Sequence, residues 1–161
     1  MKNIRFLLCL FVIGLVISGA TAIPLVREVD WLASWRLNGP LAVWLIKVQT
    51  ALHEVTERFP FLFYGTDWLA FGHFAIAIAF IGPLRDPIRN KWVIDFGIIC
   101  CALVIPWALI FGAVRGIPIW WRFIDCSFGV FGIIPLALCR RLIPGLERQA
   151  LNITYDPQSI V

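Results

Sequence analysis

The sequence predicts an all-α integral membrane protein: four transmembrane helices with an interfacial amphipathic helix in the first outer loop. Three observations carry this. Apolar residues fill 60% of the 161 positions and charged residues 15%, and mean hydropathy is +0.85. Soluble domains run nearer about 45–50% and about 25%. A chain this short could not cover so large an apolar core with polar surface, and the same composition excludes disorder. Second, four apolar runs, residues 6–26, 68–84, 92–114 and 119–139, hold 17 to 23 residues each. Crossing a ~30 Å hydrocarbon layer takes roughly 17–25 helical residues. Third, none of the runs shows the period-two alternation of a barrel strand, so helices alone can satisfy their backbone in lipid. One membrane domain over 1–143 and a short tail over 144–161 follow.

The elements can be taken in order. Lys2 and Arg5 precede an apolar stretch over 6–18 and then Ala20-Thr21-Ala22, the pattern of a cleavable signal peptide. The apolar character continues to Val26, which makes a spanning length and favours a retained anchor. In the outer loop, 27–66, Leu41, Trp44, Leu45, Val48, Leu52 and Val55 recur on one helical face, with Lys47, Gln49, Thr50, His53 and Glu54 largely elsewhere. Asn38-Gly39-Pro40 starts this helix and Phe59-Pro60 stops it. It is expected in the outer interface, packed on the ends of the spans. Pro83, Pro106, Pro118 and Pro135 are compatible with helical spans, with kinks expected at Pro106 and Pro135.

Charge placement predicts the orientation. Lys2 and Arg5, then Arg85, Arg89 and Lys91, then Arg140, Arg141 and Arg148 form compact clusters that alternate spans bring to one side. Arg27, Arg36, Lys47, Arg58, Arg115 and Arg122 are spread over the other side. The compact side reads as cytoplasmic, so both termini are expected inside a bacterial inner (plasma) membrane. Trp68, Trp92, Trp107, Trp120 and Trp121 fall mostly at run ends, as interfacial aromatics do. The sequon Asn152-Ile153-Thr154 then falls on the cytoplasmic side, where it reads as chance.

Motifs of soluble enzymes are missing, including phosphate-binding glycine loops, G-x-S-x-G, H-E-x-x-H and C-x-x-C. Cys9, Cys100, Cys101 and Cys139 lie in apolar runs and read as small hydrophobes; Cys126 lies near the outer face. Ionisable residues inside spans are costly and therefore informative. Asp95 is expected to pair with Lys91 one turn earlier. On the outer side Asp67, His73, Arg115, Arg122 and Asp125 share one face of the membrane. In one reading Arg122 and Asp125 pair at i, i+3 and His73 bonds a neighbour, pinning helices. In the other, the five form a shallow polar pocket for an anionic headgroup or outer-face substrate. No nucleophile or metal set accompanies them, so no catalytic residue, metal or cofactor is expected. The expected partner is membrane lipid, with docking on a larger membrane complex as the alternative, and no nucleic acid.

At these residues the sequence resembles the VanZ-like family of small bacterial membrane proteins. The segment from Asp67 through Trp68, Gly72 and His73 to Phe74 is similar to the family's outer-side Asp followed by His-Phe. Arg122, Asp125, Gly129 and Gly132 are similar to its late Arg, the Asp opening the last span, and residues at helical spacing after it. The Asp67-to-His73 spacing is two residues longer than the family's, and Gly129 stands where the family has Asn. The acidic residue and Gln that the family carries near the end of the third span have no counterpart over 106–115. The resemblance implies a cell-envelope role at the outer face, connected with glycopeptide-type resistance, and functional roles for His73 and Asp125.

Overall fold

The computed structural model describes residues 1–154. Its elements are α1 (Lys2–Ala22), α2 (Leu25–Ser34), α3 (Pro40–Arg58), α4 (Tyr64–Ala79), α5 (Ile81–Arg85), α6 (Lys91–Val114) and α7 (Ile119–Thr154). A 3-10 turn at Pro60–Phe63 leads into α4, and no strand occurs among the described residues. Four stretches are long and apolar enough to cross a membrane: Lys2–Ala22, Pro60–Arg85, Lys91–Val114 and Ile119–Gln149. The chain is thus an all-α, multi-pass membrane protein.

The second spanning stretch covers Pro60–Arg85 rather than 68–84, with α4 ending at Ala79 and α5 starting at Ile81, and two further boundaries differ from expectation. The first helix ends at Ala22 rather than 26, because Pro24 has no amide hydrogen and disfavours helical backbone in the residue before it. The chain turns there and starts α2 at Leu25, a helix not expected from the sequence. At the other end α7 runs on past 139 and through Pro144 to Thr154, so the expected tail is helical in its first half. Residues 155–161 of that tail, and the side chains of the 152–154 sequon, lie outside the described residues. Lys91–Val114 matches its predicted span to within one residue.

The chain divides into two compact units, residues 14–78 and residues 1–13 with 79 onward. Within the first, α2 and α3 form a hairpin closed over buried Val29 and Leu45. Most of the predicted face of α3 packs: Trp44, Val48, Leu52 and Val55 are half-buried and only Leu41 of that face is exposed, while Lys47, Thr50, His53 and Glu54 are exposed and Gln49 is half-buried. Gly39, at φ 80°, takes the left-handed backbone that lets the chain reverse ahead of Pro40. A polar clasp holds the hairpin from outside. Asp30 Oδ1 accepts hydrogen bonds from Gln49 Nε2 at 2.8 Å and His53 Nε2 at 2.9 Å. The Gln49 bond first, then the His53 bond, holds the Asp30 carboxyl below the usual carboxylate range. In the same unit a Cβ on Gly19 would lie 2.9 Å from His73 Cβ and 3.1 Å from the Ala70 carbonyl, so α1 approaches α4 backbone to backbone.

Within the second unit α6 and α7 pack along their length over small residues. A Cβ on Gly129 would meet the Cys101 carbonyl oxygen at 2.5 Å, and one on Gly132 would meet Cys101 Sγ at 2.6 Å. Phe80, Ile94, Leu136, Cys139 and Ile143 are fully buried, as are Ile4 and Leu8 of α1 to within 2%. Phe11 stacks on Phe80 with centroids 4.8 Å apart. Between α5 and α6 the Asp86 carboxylate accepts the Ile88 and Arg89 amides, and the Asn90 side chain donates to the Gly82 and Asp86 carbonyls. This ties the short connection into one rigid turn. Many other apolar side chains of the spans face outward: Trp107 is 67% exposed and Val114 72%. That is the surface expected where lipid is the solvent.

Candidate functional site

The turn from α6 to α7 brings Arg115 and Arg122 into a defined corner. α6 ends in a Schellman motif: Gly116 adopts φ 68°, its amide bonds the Ala113 carbonyl at 3.1 Å, and the Ile117 amide bonds the Gly112 carbonyl at 2.8 Å. Only glycine takes that backbone freely, and it turns the chain within a few residues. Pro118 then opens α7, its carbonyl accepting the Trp121 and Arg122 amides. Arg122 folds back over the turn. Its Nε donates to the Ile117 carbonyl at 2.8 Å, and its Cγ and Cδ lie where a Cβ on Gly112 would be, 2.8 Å away. Gly112 therefore makes room for the stem of Arg122, and the Ile117 carbonyl aims the guanidinium. Both terminal guanidinium nitrogens are without a partner among the described residues. Arg115 stands exposed one residue before the glycine. Trp120 and Trp121, rings edge to face at 5.6 Å, directly precede Arg122 in sequence.

The expected Arg122–Asp125 ion pair does not form. Asp125 is half-buried and makes no hydrogen bond or ion pair among the described residues. Arg122 points back toward the turn, which its bond to Ile117 five residues earlier explains.

Asp67 and His73 belong to the other unit. Asp67 is exposed in the first turn of α4, where a carboxylate complements the positive end of the helix dipole. His73 is occupied on both ring nitrogens. Nδ1 lies 2.8 Å from the Leu69 carbonyl, which can only accept, so Nδ1 carries the proton. Nε2 lies 3.4 Å from the Ser18 hydroxyl oxygen. His73 is an interhelical pin between α1 and α4.

Two ion pairs escaped the sequence reading. Asp95 bonds Arg140 Nε at 2.7 Å rather than Lys91, and Lys91 reaches Glu147 at 3.6 Å. The local i, i+4 pairing lost because α7 runs past 139 and brings Arg140 and Glu147 alongside the start of α6; only that helix length would have revealed them. The Asp30 clasp was hidden in the same way, by the unrecognised α2. Among the described residues no group of three or more His, Cys, Asp or Glu could hold a metal ion.

The class these features define is a small multi-pass helical membrane protein with an arginine-bearing corner at one interhelical turn. Compared with protein-family models, curated proteins and solved structures, the chain matches none of them.

Proposed function

We propose that this is a cell-envelope protein of a bacterial inner membrane, both termini cytoplasmic, whose α6–α7 corner binds the anionic headgroup of a lipid or lipid-linked envelope precursor at the outer face. One observation carries the reading. Arg122 is held by the Ile117 carbonyl through Nε alone, which fixes its plane and leaves both terminal nitrogens for a ligand. A guanidinium already fixed in place loses less entropy on binding, and its planar fork suits a phosphate. Exposed Arg115 adds a second positive charge, and Asp125, one helical turn from Arg122, accepts from a hydroxyl or ammonium on the same headgroup. The envelope role draws on the VanZ-like resemblance. The orientation draws on the cation clusters at Lys2 and Arg5, Arg85 to Lys91, and Arg140 to Arg148.

A subunit that docks on a larger complex would present an open flank of small residues, for which Gly129 and Gly132 are the candidates in α7. Both glycines face Cys101 of α6, which favours the binding reading.

Purification in mild detergent with mass spectrometry of bound lipid tests it. Arg122→Gln and Arg115→Gln together should lower co-purified anionic lipid by on the order of tenfold, the effect of about 1 kcal/mol or more per cation. Thermal stability should change little. Because Arg122 and Asp125 are not in contact, their effects on stability should add to within about 0.5 kcal/mol. Unchanged lipid in the double variant would overturn the proposal.

A further inference from the structure

A second polar-over-apolar feature lies at the far end of the same unit, where the start of α1 meets the later part of α7. Asn3, Phe6 and Leu7 fall at i, i+3 and i+4 on α1; Leu138, Arg141 and Leu142 fall at i, i+3 and i+4 on α7. These six side chains line a groove of about 470 Å³. Its floor is fully packed. Ile4, Leu8, Cys139 and Ile143 are buried beneath it, and Cys139 Sγ donates to the Ile4 carbonyl at 3.6 Å. Its walls are open: Phe6 is 69% exposed and Leu138 43%. The two helices run antiparallel here, so Phe6, Leu7 and Leu138 form the end of the groove toward the middle of the helices, and Asn3 and Arg141 the end toward the start of α1. A second groove of about 470 Å³ adjoins it across Asn3 and Leu142, with Lys2 and Gly145 in its wall.

The charges at this end are unequal in their employment. Arg140 is held by Asp95 and Lys91 by Glu147. Arg141 and Lys2 have no partner among the described residues, and no acidic side chain lines either groove. Two idle cations at the mouth of an apolar trough, within helices long enough to cross a membrane, fit a molecule with a negative head and an acyl tail. A free anion would leave the trough empty. A zwitterionic lipid would bring its own cation beside these two, which weakens their attraction for its phosphate.

We propose that the α1–α7 groove is a seat for an anionic phospholipid, its phosphate on Arg141, Asn3 and Lys2 and an acyl chain along Phe6, Leu7 and Leu138. This site is independent of the α6–α7 corner and shares no residue with it.

Site-specific crosslinking tests it. The full chain carrying Phe6→benzoylphenylalanine is irradiated in vesicles of mixed dioleoylphosphatidylcholine and dioleoylphosphatidylglycerol, and the adducts are weighed. Phosphatidylglycerol should be enriched over its share of the vesicle by on the order of tenfold or more, as two interfacial cations imply. Lys2→Gln with Arg141→Gln should return the adducts to the vesicle's composition. Leu138→Trp, which fills the trough at an exposed position, should reduce adducts of both lipids. Added sn-glycerol 3-phosphate should not compete. Adducts that mirror the vesicle in the unsubstituted groove, or enrichment that survives removal of both cations or the filled trough, would overturn the proposal, as would competition by the free phosphate. Arg115→Gln and Arg122→Gln leave the crosslink intact in this account, so failure here and failure at the corner can be told apart.

Discussion

Gly129→Ala should be the most damaging single-methyl change in the protein, lowering stability by about 3 kcal/mol or more and shrinking the monodisperse fraction in detergent. The added Cβ would lie 2.5 Å from the Cys101 carbonyl oxygen, a separation real Cβ atoms essentially never show. The obstacle is backbone, which cannot rotate away, so α6 and α7 must separate and every contact along them loosens. Overpacking of a fixed core costs about 1–3 kcal/mol, and a backbone obstacle lies at or beyond the upper end. Gly132→Ala supplies the comparison. There the obstacle is Cys101 Sγ at 2.6 Å, with Cys101 Cβ at 3.7 Å. Gly132→Ala should therefore be rescued by Cys101→Ala, whereas Gly129→Ala should not. Gly72→Ala, whose Cβ meets nothing within 4 Å, should be neutral or stabilising by up to about 1 kcal/mol. Thermal unfolding in one detergent ranks all four variants. Equal losses for Gly129→Ala and Gly72→Ala would refute the close approach.

The second large effect is expected at Asp95 and Arg140. Their 2.7 Å bond joins α6 to α7 with side chains 44% and 38% exposed, so each is part screened. Removing one partner strands the other in a largely apolar helix, which is worse than removing both. Asp95→Ala and Arg140→Ala should each destabilise, and the double variant should recover part of the loss. Partial exposure puts the coupling in the lower half of the usual range of about 0.5–3 kcal/mol. If the expected local pair were the true one, Lys91→Ala would couple to Asp95 instead.

These two residues show how far the sequence could be read. The spans were legible because hydrocarbon imposes a length and a composition on each helix separately, and α6 came out to within one residue. α2 is hard to see in the sequence because its apolar positions, beginning at Leu25, run on directly from the first span, with Pro24 the single break between them. α7 was read too short because Arg140, Arg141 and Pro144 look like a stop, although long basic side chains reach the interface from within a helix. Of the site, the cations and Asp125 stood out by their cost in a membrane. Their partners did not. Arg122 bonds a backbone carbonyl that any residue at 117 would supply, and Asp95 bonds a side chain 45 positions away. Pairing across helices depends on where each helix ends, and ends are what composition specifies least.

The path of the chain through the membrane is the claim on which the rest depends, and thiol labelling tests it directly. In a background with the native cysteines replaced, a cysteine at Asn38, in the α2–α3 turn, should react with a membrane-impermeant maleimide in intact cells. One at Asn90, before α6, should react only after the membrane is opened. Four crossings with the basic clusters inside require that pair of results. Labelling at Asn90 from outside, with Asn38 protected, would contradict the orientation and with it the outer-face corner.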